Sequence, residues 1–255
     1  MRAFCLPAFL LTATSATAAT GSWSLATGDT SITIAVASNQ LTLSHLRSTK
    51  LAHDWAADER AFPLMRKVWI GEREAPTEWL FQQGALDRRS GTLVLTFANA
   101  SPRLRLRSVW RARPGHGPIE HWLELDNLSG ERVTVPHQES LSLPALRPGG
   151  PAKVWWIRRG GGNASTQGGT SAEAVTDKTD LTLTSNCEDG ASPVPWLAVQ
   201  VGEQRGLYVG WEFSGVGRIQ ARADGGADRL EVNVGLSPDF RTDVEPGTTF
   251  VVPPA

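Results

Sequence analysis

A period-two alternation of apolar and polar residues recurs along this chain and restricts its fold more than any other feature. Residues 93–97 and 103–110 alternate in this way. In residues 119–126, His121 and Leu123 fall on one side of the pattern and Glu120 on the other. Successive side chains of a β-strand point to opposite faces of the sheet, whereas the spacing typical of helices is almost absent. The sequence therefore predicts an all-β protein.

Short candidate strands follow one another, with Gly, Pro, Asn or Asp between nearly every pair. About fifteen strands are too many for one open sheet, so we expect a single domain built as a large two-sheet β-sandwich. We find no internal repeat and no internal domain boundary. The other candidate strands are residues 31–36, 40–46, 67–70, 78–82, 132–135, 140–143, 153–157, 180–184, 196–201, 206–211, 218–223 and 229–234.

The first residues read as a targeting segment. Arg2 provides a basic start, residues 3–11 form an apolar run, and residues 16–18 (Ala-Thr-Ala) form a small-x-small cleavage motif. We therefore expect residues 1–18 to be a secretory signal peptide, and a bacterial product exported to the periplasm or the exterior without a membrane anchor. Cys5 lies in this segment, which leaves Cys187 as a lone, structural cysteine in the mature protein.

The charge of the chain argues against nucleic-acid partners. Without Arg2 there are 24 basic residues against 26 acidic ones, which gives a formal charge of −2. Arg103, Arg105 and Arg107 alternate with leucines, and a strand then places these arginines on a solvated face. No aromatic stacking platform accompanies them, so we expect neither nucleic-acid nor membrane binding.

Four ordered segments near the C-terminus resemble the N-terminal domain of α-galactosidases of glycoside hydrolase family thirty-six, the melibiases. They are residues 192–199 (Ser-Pro-Val-Pro-Trp-Leu-Ala-Val), 206–215 (Gly-Leu-Tyr-Val-Gly-Trp-Glu-Phe-Ser-Gly), 235–236 (Gly-Leu) and 240–253, which contain the turn Glu-Pro-Gly followed by one short β-branched candidate strand. Together they cover about the last quarter of the chain. Val244, Thr248 and Pro254 depart from the family pattern, which indicates a distant member.

The resemblance implies a galactose mutarotase-like β-supersandwich over residues 19–253, with residues 254–255 starting a junction to a C-terminal catalytic barrel. In that family two aspartates of the (β/α)8 barrel hydrolyse α-galactosides, so the resemblance gives this chain no catalytic residue. The sandwich lends a loop to the rim of the sugar pocket and mediates assembly, and the chain could form a homo-oligomer. The expected substrate-binding residues are Asp54 and Trp55, followed by Trp155 and Trp156.

The tryptophan content fits carbohydrate binding, because sugar C–H faces stack on aromatic rings. The chain contains 10 tryptophans and 1 tyrosine. Trp110, Trp122 and Trp196 lie within alternating strands, and we expect them to be structural. The better surface candidates lie near loops or strand ends, namely Trp55, Trp79, Trp155 and Trp156. Residues 158–171 form a long loop rich in Gly and Ser. A stand-alone carbohydrate-binding module is therefore an alternative function.

Autonomous catalysis is a further alternative. A glycosidase needs two carboxyl groups that flank the scissile bond, and an aldose epimerase could use His121, His137 and Glu139 as acid and base. No histidine has metal-ligand spacing, and no dinucleotide or phosphate-binding motif occurs, so we expect no metal and no cofactor. The carboxyl candidates are Asp54, Asp58, Glu59, Glu139, Glu188, Asp189 and Glu212.

Overall fold

The computed structural model of the protein describes residues 20–56, 60–158, 169–186 and 192–255. This part of the chain contains twenty β-strands and no helix, which confirms the all-β prediction. No helix in these ranges could therefore cross a membrane. The predicted signal peptide, Cys187 and the carboxyl candidates Asp58, Glu59, Glu188 and Asp189 lie outside the described residues, as do residues 159–168 of the predicted loop.

The strands are numbered in chain order. They are β1 (Gly21–Ala26), β2 (Thr30–Ala37), β3 (Gln40–Ser48), β4 (Lys67–Ile70), β5 (Arg73–Pro76), β6 (Leu80–Asp87), β7 (Thr92–Asn99), β8 (Leu104–Ala112), β9 (Ile119–Asn127), β10 (Val133–Pro136), β11 (Glu139–Leu146), β12 (Ala152–Arg158), β13 (Gly169–Ala174), β14 (Asp180–Ser185), β15 (Pro193–Val201), β16 (Arg205–Gly210), β17 (Gly217–Ala223), β18 (Leu230–Leu236), β19 (Arg241–Val244) and β20 (Thr249–Val251).

Backbone hydrogen bonding divides these strands into five antiparallel sheets rather than the two that we expected. The orders are β1-β2-β3, β19-β10-β4-β5, β11-β18-β17-β14, β13-β12-β15-β16 and β20-β9-β8-β7-β6. Short strands and register shifts, such as the one between Leu143 and Leu146 in β11, interrupt the ladders. One continuous apolar core nevertheless joins all five sheets, as a single domain requires.

Four strands were missed in the sequence. They are β1, β5, β13 and β19, and each is short and rich in polar or small residues. Residues 169–171, which we assigned to a Gly-rich loop, begin β13 and pair with β12. Backbone pairing with a neighbouring strand holds such segments extended, and their own side chains give little alternation to detect.

The outer face of β8 and β9 carries an interlocked charge ladder. Arg107 contacts Glu124 at 2.7 Å and Asp126 at 2.5 Å, and Glu120 contacts Arg111 at 2.6 Å. Burial works to raise the pKa of Asp126, but hydrogen bonds from Thr249, Arg105 and Arg107 outweigh it and lower that pKa. Of the arginines predicted to lie on one strand face, Arg105 and Arg107 do so and are neutralised by carboxylates of β9, whereas Arg103 lies before β8.

The C-terminal residues complete the sheet edge at β9. The backbone N–H of Ala255 donates to the carbonyl oxygen of His121 at 3.0 Å, and the N–H of His121 returns a bond to Ala255 at 2.8 Å. The N–H of Glu212 donates to the carbonyl oxygen of Pro254 at 2.9 Å. Two elements, β9 and the segment after β16, therefore hold the end of the described chain.

We predict that Gly217→Ala lowers the free energy of unfolding by about 1–3 kcal/mol. A Cβ atom at Gly217 would lie 1.5 Å from Cζ3 of Trp211, a ring buried in the core, so the ring has to move. Urea denaturation measures the change. Gly130→Ala is the matched control, since a Cβ there meets nothing within 4 Å. Equal stability of the two variants would contradict this account.

Candidate functional site

A cleft of about 780 Å³ opens between the sheets. Apolar side chains of β2, β3 and β11 form its inner wall, and charged groups surround its mouth. A volume of this size and an apolar lining with a few polar groups are typical of small-molecule sites. The apolar lining includes Ile32, Leu43, Leu46, Leu141 and Leu143, and the charged groups at the mouth are Asp29, Arg47, His53, His116, Arg205 and Glu212.

A buried polar network forms the floor of this cleft. Trp110 Nε1 donates to Ser108 Oγ at 2.9 Å, and this hydroxyl lies 2.9 Å from His121 Nε2. His121 Nδ1 in turn donates to the carbonyl oxygen of Ser140, and Trp211 Nε1 donates to Ser140 Oγ at 3.0 Å. Every polar group of the imidazole has a partner, so burying this histidine leaves no unsatisfied atom.

Burial sets the protonation state of His121. The side chain is almost completely buried, and desolvation lowers its pKa from 6.5 to about 3, against a smaller opposing effect of the bond to Ser140. His121 is therefore neutral at physiological pH. Its burial agrees with the apolar side of β9 on which the alternation places His121, and the acid–base role considered for an epimerase does not agree with it.

His137 and Glu139 form a different cluster. Glu139 Oε1 lies 3.0 Å from His137 Nε2 and 2.5 Å from a guanidinium nitrogen of Arg218. His121 bonds instead to Ser108 and to the backbone carbonyl oxygen of Ser140. The three residues considered for an epimerase therefore belong to two separate hydrogen-bonded clusters.

Asp54 is a structural anchor. Its carboxylate accepts bonds from the backbone N–H of Leu46 at 3.0 Å and of Ala56 at 3.1 Å, and contacts Arg47 at 2.8 Å and His45 at 2.7 Å. Burial works to raise the pKa of Asp54, but these bonds outweigh it and lower the pKa. The arrangement holds the segment after β3 in place and keeps Asp54 ionised.

Trp55 lines the cleft as a buried side chain. Only 4% of it is exposed, and its ring meets that of His53 edge to face at 5.0 Å. Its backbone bonds to Leu46 and Arg147 and so joins the end of β3 to the chain after β11. Trp79 is also buried, at 8% exposure, and donates to the carbonyl oxygen of Met65. The expectation that these two rings are surface aromatics was wrong, because loop position does not reveal burial.

Trp155 and Trp156 point to opposite faces of β12. Trp156 packs against the core, whereas Trp155 lines a second, shallower cavity of about 410 Å³ on the outer face of its sheet. Trp196 and Tyr208 line both cavities. Trp196, which we expected to be structural, is half-buried on this outer face, and so is Trp122 on the face of β9. The sequence indicated Tyr208 only by its being the sole tyrosine.

Two carboxylates of the cleft, Asp29 and Glu120, are unsuited to the role of a general acid. Arg111 and Arg113 hold Glu120 at 2.6 and 2.5 Å. A hydrogen bond from Thr27 lowers the pKa of Asp29, the opposite of what a general acid requires. Within the described ranges, no group of three or more His, Cys, Asp and Glu side chains could hold a metal ion. The cleft combines an apolar wall with a charged mouth.

Comparison with solved structures identifies the fold. No protein-family model matches the chain, and no curated protein matches it. The α-galactosidase AgaA of family GH36 from Geobacillus stearothermophilus superposes with a TM-score of 0.69 at 13% identity, over 92% of this chain and 40% of the enzyme. The α-galactosidase from Lactobacillus brevis gives a TM-score of 0.69 at 14% identity, over 91% and 38%.

The chain matches the N-terminal domain of GH36 α-galactosidases. It spans about two fifths of the length of these enzymes. A galactose mutarotase-like protein from Lactobacillus casei also matches, with a TM-score of 0.58 and 11% identity, over 92% of this chain and 98% of that protein. At these identities the likeness establishes the fold, and both predictions, the β-supersandwich and the GH36 resemblance, are confirmed.

We predict that His121 lowers the free energy of unfolding of the domain as the pH falls below 6.5, a pH well above the range in which carboxylates ordinarily titrate. The unfolded chain takes up a proton at His121 as pH falls through 6.5, whereas the folded domain resists protonation until about 3. The unfolded state then binds more protons, so the free energy of unfolding falls by up to about 1.4 kcal/mol per pH unit in this interval. Denaturant unfolding between pH 7.5 and 5 measures the slope.

His121→Gln isolates this contribution. We expect the variant to be less stable at pH 7.5 but to show a shallower slope between pH 6.5 and 5. His53, whose pKa is lowered by burial and by Arg205, also contributes, so His53→Gln is measured in parallel. Parallel slopes for the unaltered protein and His121→Gln would refute the assignment.

Proposed function

We propose that this chain is the N-terminal, non-catalytic β-supersandwich domain of an exported α-galactosidase-like glycoside hydrolase. Hydrolysis of α-galactosides belongs in this proposal to a (β/α)8 barrel that follows the sandwich. The sandwich shapes the rim of the sugar pocket and takes part in assembly of the enzyme, including contacts between copies in a homo-oligomer.

The observation that carries the proposal is the extent of the match. The GH36 α-galactosidases align over 91–92% of this chain and only 38–40% of themselves. Two variants of the Geobacillus enzyme have been solved in complex with raffinose and with stachyose, and these align over the same share. An α-galactoside is therefore the substrate class that we assign to the whole enzyme.

The segment between β3 and Trp55 is our choice for the pocket rim. Thr49, Lys50, Leu51 and Ala52 are exposed at its tip, and the bonds of Asp54 to Leu46, Arg47 and Ala56 hold its base. Asp54 acts here as a positioning residue. Trp55 supports the segment from below, because its ring is buried.

A second candidate function is an autonomous sugar-binding or sugar-epimerising protein. The mutarotase-like protein from Lactobacillus casei favours it, since this chain covers 98% of that protein. The cleft of about 780 Å³, with Glu212 and His116 at its mouth, would then be the sugar site. This candidate predicts faster interconversion of the galactose anomers, followed by polarimetry, and loss of the effect in Glu212→Gln.

We predict that the purified chain releases no 4-nitrophenol from 4-nitrophenyl α-galactoside. The cleft carboxylate Glu120 is ion-paired, and the pKa of Asp29 is lowered, so neither provides the general acid that a hydrolytic pair with Glu212 would need. The gene sequence beyond residue 255 gives the decisive comparison. If it encodes a barrel with two catalytic aspartates, the longer protein should hydrolyse the substrate while the chain alone does not. Turnover by the chain alone, or a stop codon after Ala255, would overturn the proposal.

A further inference from the structure

Three aromatic side chains lie on the outer face of the sheet β13-β12-β15-β16. Trp155 of β12 pairs with Ala198 of β15, and Ala198 pairs with Tyr208 of β16. Residues opposite each other across a sheet point to the same face. Trp196 lies two residues before Ala198 and therefore shares that face. We call these three residues, Trp155, Trp196 and Tyr208, the aromatic platform.

Small residues keep the platform open. Tyr208 pairs across the sheet with Ala198, and Trp196 pairs with Gly210. A Cβ atom added at Gly206 would lie 3.7 Å from the ring of Tyr208, and one at Gly210 would lie 3.8 Å from that of Trp196. The rings therefore lie beside positions that have no side chain. Trp196 and Tyr208 stack with a centroid distance of 5.8 Å and an interplanar angle of 29°.

Exposure of Tyr208 is the unusual feature of this face. Its side chain is 70% exposed, the highest value among the exposed large hydrophobic residues of the described chain. Burying an aromatic ring stabilises a protein by about 1.5–3 kcal/mol, and here most of that gain is left unused. A ligand that covers the ring would recover it.

The surroundings favour a neutral saccharide as that ligand. The residues that line the cavity of about 410 Å³ include one acid, Glu203, and one base, Arg205, next to the amides of Gln200 and Gln204. Because one positive and one negative charge offset each other, the cavity has no excess positive charge to attract a polyanion. Amides can bond to sugar hydroxyls, and the flat rings can pack against the C–H face of a pyranose.

The size of the face argues against a second protein. A stable protein–protein interface uses about 20–30 residues on each side. Eleven of the described residues line this cavity, which is about half that number. Its volume falls within the range of small-ligand sites, about 300–1,000 Å³. A few sugar units of a chain match this surface better than a folded partner does.

We propose that the aromatic platform binds pyranose units of a neutral polysaccharide and so holds the protein on its polymer. Trp196 and Tyr208 stack on the sugar faces, Trp155 extends the platform across the sheet onto β12, and Gln200 and Gln204 bond to hydroxyl groups. This extends the proposed function by giving the sandwich a glycan-binding surface of its own. Failure of the platform leaves the α-galactosidase proposal standing, because the test below measures binding by this chain and not hydrolysis.

Affinity electrophoresis of the full chain in gels containing galactomannan, β-1,4-mannan, soluble β-1,4-glucan or arabinogalactan tests the proposal. We expect retardation by at least one of these neutral polymers. Tyr208→Ala and Trp196→Ala should each weaken it about tenfold, since an aromatic stacking contact and its buried area contribute that much. Tyr208→Phe keeps the ring and should keep most of the affinity.

Trp122→Ala is the matched control. Trp122 is also a half-buried tryptophan on an outer sheet face, where it lies against Arg111, 5.2 Å from the ring centroid to the guanidinium carbon. The Trp122→Ala variant should leave the retardation by the polymers unchanged. Because Tyr208 is largely exposed, Tyr208→Ala should retain the thermal unfolding midpoint, so a loss of binding there is not a loss of folding.

Three results would overturn the proposal. The first is the absence of retardation by all four polymers, and the second is retardation that Tyr208→Ala does not change. The third is evidence that this face binds a different kind of partner. Retention by polygalacturonate alone would indicate an anion site, and a concentration-dependent dimer abolished by Tyr208→Ala would indicate an interface between copies of the chain.

Discussion

A chain of buried hydrogen bonds from Trp110 through Ser108, His121 and Ser140 to Trp211 holds the sandwich together where its sheets meet. It joins β8 and β9 of one sheet to β11 of another and to the residue that follows β16. Buried polar groups are costly unless they are all satisfied, and here each has its partner. The backbone of His121 also pairs with Ala255, so the same residue positions the end of the described chain.

The cleft follows from this junction. Trp110 and Trp211 form part of its floor, and β2, β3 and β11 rise around them. Because Trp55 packs into the same region, the segment that carries Asp54 is bound to the core from below and to β3 from the side. The proposed pocket rim therefore has a fixed base and an exposed tip, and Trp55, which supports the base, is buried.

The outer faces of two sheets differ in how far their side chains are satisfied by one another. On β8 and β9, arginines and carboxylates neutralise one another, and the strand face is closed by its own ion pairs. On β15 and β16, Trp196 and Tyr208 are left in contact with solvent beside small residues. The first face is closed by its own ion pairs, whereas the second leaves exposed apolar area, which the proposed glycan would cover.

Alternation by itself determined the all-β class, the two faces of β9 and the burial of His121, because side-chain direction in a strand depends only on position along it. Cross-strand register decided the rest. It brought Trp155, Ala198 and Tyr208 into one row, and tertiary packing separated His121 from His137 and Glu139 and buried Trp55 and Trp79, which the sequence placed at the surface. These contacts join residues far apart in the chain, so no local pattern encodes them, and only the tertiary structure could select which aromatic rings face the solvent.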